Sequence, residues 1–285
     1  MLEVKEEDSH YFTLRAYGLG PDVSIFVSLH FPVFMRNLLL LFGCLVSWAA
    51  WAQPKTIHVY VALCDNVNQG IVPVPAKLGN GQQPANNLYW GALYGVKTHF
   101  GKQSEWVSVP VSNSADHEVL DRVLFKHATE EVYLLAEAYD GRAIQGCIED
   151  FLRASNGASP LLIGVGDQTL SFGGGADLVA YVGHNGLMDF SVSLDYQPAK
   201  TAKDAMLLAC YTQRYFSSDL RQAGANPLLW TTHLMAPEAY TLKAAIDGWL
   251  LGEPGEQIEE RAAQAYHQYQ QCGIRGARGL FTTGY

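Results

Sequence analysis

Two side chains in this chain carry chemistry in an informative setting, the imidazole of His184 and the thiol of Cys210. Residues 177–186 read Asp-Leu-Val-Ala-Tyr-Val-Gly-His-Asn-Gly, and residues 205–211 read Ala-Met-Leu-Leu-Ala-Cys-Tyr. A thiol becomes a useful nucleophile near neutral pH when a base or a cation sits beside it, and an imidazole supplies either. The chemistry to expect of such a pair is acyl transfer, with sulfur attacking a carbonyl and the imidazole handling the proton. Taken singly, each residue has an ordinary explanation, because Cys is among the most buried residue types and often just closes a core strand.

The elements that must position them are the two apolar runs. Short apolar stretches bounded by Gly, Asn and polar residues are what parallel strands covered on both faces look like. Neighbouring strands lie about 4.8 Å apart, and in open α/β sheets chemistry sits just past the carboxyl ends of the strands. His184 and Cys210 both fall there.

An apolar block ending in His-Gly, followed by an apolar block ending in Ala-Cys, resembles the caspase-like cysteine peptidases, which include caspases, legumains, clostripain and gingipains. Here the blocks end His184-Asn185-Gly186 and Ala209-Cys210, so an Asn is inserted in the first. The resemblance spans roughly residues 56–251. It implies a caspase-hemoglobinase-like fold with the His after the third main strand and the Cys after the fourth. It further implies peptide-bond cleavage by a Cys210–His184 dyad, with backbone N–H groups at Asn185 and Gly186 and at the Cys forming an oxyanion hole, and a protein or peptide as substrate. Asn185 puts a side chain where the family has Gly and crowds that hole. The competing expectation is a catalytically inactive caspase-like binding module of the cell envelope.

Asp65, Asn66, Trp230 and His233 close other expected strands on the same edge and are candidates to line a substrate pocket, although Asp, Asn and aromatic residues at such positions also serve as turn and packing residues. Cys64, Asp65, His184, Cys210 and His233 lack any compact ligand spacing, so no metal is expected. The run Gly173-Gly174-Gly175 lacks a Lys-Ser/Thr ending and precedes a strand, which rules out a phosphate loop; it is expected as a flexible hinge, and no cofactor is expected.

The 285 residues are 48% hydrophobic and 16% charged, a balance that fits a filled globular core. A net charge of −9 without a Lys/Arg cluster argues against nucleic acid as a partner. From Met35 a basic start, an apolar core and an Ala50-Trp51-Ala52 ending describe a secretory signal peptide over 35–52, with cleavage after Ala52. Residues 1–34 then read as a non-native upstream extension, and 53–285 as a single exported domain, periplasmic or secreted, with no stable membrane span after cleavage. Export permits disulfides among Cys64, Cys147, Cys210 and Cys272; Cys147–Cys272 is the pair favoured if one forms, and four free thiols is the alternative.

In chain order, strands are expected at 56–64, 131–140, 178–182, 205–209 and 227–233, with 161–166 a short strand or extended segment. Residues 106–109 read as a short accessory strand, and 118–126 as a strand or a short helix. A long loop covers 67–87. Helices are expected at 87–100, 143–154, 216–223, 238–251 and 257–271. This alternation implies an α/β fold, a mostly parallel central sheet with helices on both faces.

Overall fold

The computed structural model describes residues 2–7, 11–16, 53–197 and 202–285. The chain divides into two compact units, Met1–Gln53 and Pro54–Tyr285. In the first, β1 (Leu2–Glu7) and β2 (Tyr11–Ala16) form an antiparallel hairpin. The expected signal segment at 35–52 lies outside the described residues.

The second unit runs β3 (Lys55–Ala62), α1 (Val96–Phe100), β4 (Trp106–Val109), β5 (Val119–His127), β6 (Val132–Tyr139) and α2 (Ile144–Ser155). It continues through β7 (Pro160–Val165), β8 (Gln168–Gly173), β9 (Leu178–Val182), β10 (Asp204–Leu208) and α3 (Thr212–Ala223). It ends with β11 (Asn226–Thr231), α4 (Ala239–Leu250), α5 (Gly255–Gln270), α6 (Ile274–Leu280) and β12 (Phe281–Thr282).

Eight of these strands form one mixed sheet in the order β12-β11-β10-β9-β3-β6-β5-β4. The five in the middle, β11 to β6, are mutually parallel, and β12, β5 and β4 add antiparallel edges. Every residue of β6 and β9, and all but the first of β3, is buried, as a parallel sheet covered on both faces requires.

Strand alternation divides the core. Ile57, Val59 and Val61 pack with Phe100 of α1, Leu242 and Ile246 of α4 and Ile258 of α5 on one face. Tyr60, Ala62 and Tyr181 pack with Ile148 and Phe151 of α2 and Phe216 of α3 on the other. The chain is therefore mixed α/β, with helices against both faces of a mostly parallel sheet.

Three local expectations are revised, and one strand is placed. The stretch 87–100 is helical only over Val96–Phe100, because the chain before it turns tightly: a Cβ on Gly95 would stand 2.4 Å from the Trp90 backbone, closeness that only glycine permits. The run 161–166 is a strand as expected, β7, and it folds back on β8 in a separate antiparallel hairpin. The Gly173-Gly174-Gly175 run is a tight turn rather than a hinge, since a Cβ on Gly174 would come within 2.0 Å of the Ala158 carbonyl oxygen. Finally, Cys64, Cys147, Cys210 and Cys272 are all free. Cys147 is fully buried on the α2 face of the sheet, whereas Cys272 is exposed just past α5, which packs on the opposite face, so the favoured Cys147–Cys272 bridge does not form.

Candidate active site

The strand order reverses beside β3: β6 pairs on one side of it and the later β9 on the other. Loops leaving the carboxyl ends of β3 and β9 diverge at such a switch point and leave a crevice, the usual place for a site in this architecture. His184 follows β9, Cys210 follows the next strand β10, and Asp65 follows β3.

The register fixes the relation between the two reactive groups. Val182 pairs with Leu208 in the parallel ladder, so His184 and Cys210 each lie two residues beyond a matched pair. The pairing continues past the strands, with Gly183 N–H donating to Leu208 O at 3.2 Å and the Asn185 side-chain amide donating to Cys210 O at 2.6 Å. Asn185 is thus a clamp between the histidine loop and the cysteine turn. Its Oδ1 also accepts from Leu187 N–H at 3.1 Å, which starts the short 3-10 turn at Gly186–Met188.

That turn brings in Asp189, a residue the sequence reading missed. His184 Nε2 meets Asp189 Oδ2 at 2.6 Å, and the same oxygen accepts from Gly70 N–H at 3.3 Å. His184 is 7% exposed and the Asp189 side chain 41% exposed, so a buried imidazole is held by a carboxylate at the surface. No other partner for the His184 ring occurs among the described residues, which leaves Nδ1 as the available nitrogen.

Cys210 is half-buried, and burial pushes its thiol above the ordinary 9.0, with the Met235 N–H pulling the other way. Met235 N–H lies 3.4 Å from Sγ, and Met235 O lies 3.7 Å from it. The thiol therefore rests on the Met235 backbone, and among the described residues it is not hydrogen-bonded to His184. The next residue, Tyr211, sits at φ 51 in the left-handed region and leads straight into α3. A non-glycine residue there is strained by about 1–2 kcal/mol, and such strain gathers at functional turns. Cys64, by contrast, is fully buried, and burial drives its thiol up to about 11.

The expected oxyanion donors are placed differently. Gly186 N–H is spent on His184 O at 3.1 Å, and Asn185 has no exposed surface, so neither faces a substrate. The extra side chain does not crowd the crevice, because it is turned onto Cys210 O. Of the expected donors, Cys210 N–H remains, with no acceptor among the described residues.

The four expected pocket residues separate. Asp65 is buried and organises the loop after β3. Its Oδ1 accepts from Val67 and Asn68 N–H, its Oδ2 from the Asn68 and Gln82 amides. Burial works to raise its carboxyl, and those donors outweigh it and hold the pKa below 3.8. Asn66 is tied in both directions to the Val74 backbone and is structural. Trp230 is fully buried in the core with α3 and stacks edge-on against Tyr285, so it lines no pocket. The strand ends at Thr231, one residue past it, and alternation points Trp230 inward. His233 is exposed beside the site. Its carbonyl accepts from Tyr211 N–H at 3.0 Å, and its ring lies 6.0 Å from that of Tyr211.

No family model, curated protein or solved structure matches the chain. Among the described residues no helix is long and apolar enough to cross a membrane.

Proposed function

We propose that the chain is an exported cysteine peptidase of the caspase-like type, with Cys210 as nucleophile, His184 as proton carrier and Asp189 as the residue that orients the imidazole. The observation that carries this reading is the register: two parallel strands, matched at Val182 and Leu208, deliver an imidazole and a thiol at the same level beyond their carboxyl ends. With Nε2 committed to Asp189, Nδ1 is the nitrogen for the reaction. Sγ attacks the peptide carbonyl carbon, His184 protonates the departing amine, and water then releases the acyl group from sulfur. Cys210 N–H is the donor for the developing oxyanion. The thiol also precedes the N-terminus of α3, whose partial positive charge favours thiolate. In chain order the imidazole follows the third of the five parallel strands and the thiol the fourth, as the caspase-like resemblance implies. The basic, apolar and small-residue pattern over 35–52 supports export.

A second reading is favoured by one observation, the resting place of the thiol on Met235 with its pKa raised by burial. On that reading the chain is a caspase-like binding module of the cell envelope that cleaves nothing. Incubating residues 53–285 with a diverse peptide mixture and mapping new termini by mass spectrometry separates the two. The peptidase reading expects cleavage that Cys210→Ala removes. Cleavage that survives in Cys210→Ala overturns Cys210 as the nucleophile, and no cleavage of any peptide gives the case to the binding module.

A further inference from the structure

On the α2 face of the sheet, away from the carboxyl-end crevice, a cleft of about 190 Å³ opens over β3, β5 and β6. Its walls come from α2, the β7–β8 hairpin and the loop before β5, and its polar lining includes His58, Tyr60, Arg122, Glu137, Tyr139 and Asp150.

The floor is an internally neutralised chain. Glu137 Oε2 meets His58 Nε2 at 2.9 Å, and Glu137 Oε1 accepts from Arg122 Nε at 2.7 Å and from Arg122 Nη2. His58 Nδ1 accepts from Gly173 N–H at 3.0 Å, which places the imidazole proton on Nε2, toward Glu137. The Arg122 and Glu137 side chains are 8% and 4% exposed. The guanidinium is therefore spent on its partner and offers an anion little.

Above this floor the groups are unbalanced. Tyr60 is 3% exposed and lines the cleft, yet its hydroxyl has no hydrogen-bond partner among the described residues. That hydroxyl is not sealed in the core but opens to the cleft, where it is free to meet a ligand. Asp150 accepts from the Tyr139 hydroxyl at 3.1 Å and from Arg153 Nη1 at 3.0 Å, and Asp116 lines the cleft nearby. Burial raises the Asp150 carboxyl, and Asp116 adds to the rise, so a cation arriving here relieves both. The Tyr60 and Tyr139 rings stand 6.2 Å apart and both line this cleft.

We propose that this cleft binds a small organic ammonium, held by the Tyr60 hydroxyl and the Asp150 and Asp116 carboxylates against the two tyrosine rings. An anion meets two carboxylates and a neutralised arginine. A metal ion lacks a ligand set, since among the described residues no three His, Cys, Asp or Glu gather to hold one. The ammonium comes from a free amine or from a lysine side chain of another protein, and the chemistry is the same.

The test is calorimetric titration of the full chain with butylammonium and with Nα-acetyl-lysine methylamide, and with butyrate as the anionic control. The expected result is saturable binding of at least one ammonium and none of butyrate. Tyr60→Phe, which keeps the ring, weakens binding about fivefold, the worth of one hydrogen bond. Asp150→Asn weakens it about tenfold, as expected for a charged partner. Tighter binding of butylammonium marks a free amine as the ligand, and tighter binding of the lysine surrogate marks a protein side chain. Absence of saturable ammonium binding, butyrate binding as well as butylammonium, or folded variants that bind like the parent chain overturns the proposal.

Discussion

Two histidines in this molecule are wired alike at one nitrogen and differently at the other. His58 and His184 both place Nε2 against a carboxylate, at 2.9 Å from Glu137 and 2.6 Å from Asp189. At His58 the second nitrogen accepts from Gly173 N–H, the carboxylate also holds Arg122, and the assembly is almost wholly buried. At His184 the second nitrogen has no partner among the described residues, and the carboxylate reaches the surface. A histidine–carboxylate pair with every donor and acceptor matched is part of the framework. One with a nitrogen to spare is available for chemistry. The same side chains therefore yield opposite expectations on mutation.

The largest effect is expected in the framework pair. Glu137→Gln leaves the Arg122 charge buried without its counter-ion and should cost about 3–5 kcal/mol, read as a lowered urea midpoint. A parent-like midpoint would erase the contrast. Next comes Asn185→Ala, which removes the clamp onto Cys210 O and should cost about 1–3 kcal/mol, together with a loss of peptide cleavage. Asp189→Asn belongs to the other class. Its carboxylate is 41% exposed, so solvent screening limits the stability change to about 0.5 kcal/mol, while cleavage at neutral pH should fall well below parent levels. A large stability loss with full activity would reverse the two roles.

Acid sharpens the same comparison. Burial works to raise the Glu137 carboxyl, but the hydrogen bonds from His58 and Arg122 and the Arg122 charge outweigh it and hold the pKa below its ordinary 4.5. The sign follows: a depressed carboxyl contributes stability that is present above the unfolded value and lost as the pH falls through the folded one. Denaturation midpoints should therefore drop below about pH 4.5, and Glu137→Gln should flatten that drop.

How much of this was legible in the sequence depended on periodicity. Val179, Tyr181 and Leu207 sit in unbroken apolar runs, so the strands carrying His184 and Cys210 were visible, and with them the α/β order. Asp189 was not, because it lies in an aperiodic loop and reaches His184 only through the turn that Asn185 starts. Trp230 misled because the strand appeared to run to His233, whereas it stops at Thr231 and buries the indole. The Asn87–Phe100 stretch had helix-like spacing, but close backbone contacts at Gly91 and Gly95 turn it instead. His58, Arg122 and Glu137 lie on three different strands, and only the pairing of Tyr60 with Glu137 and of Arg122 with Glu137 assembles them.

The account rests on Cys210 being a thiol that His184 can activate despite its seat on Met235. Treating residues 53–285 at neutral pH with a peptide acyloxymethyl ketone, and mapping the modified residue by mass spectrometry, tests this directly. The account predicts labelling at Cys210, lost in His184→Ala. Labelling at Cys272 or Cys64 instead, or labelling of Cys210 at the same rate without His184, would contradict it.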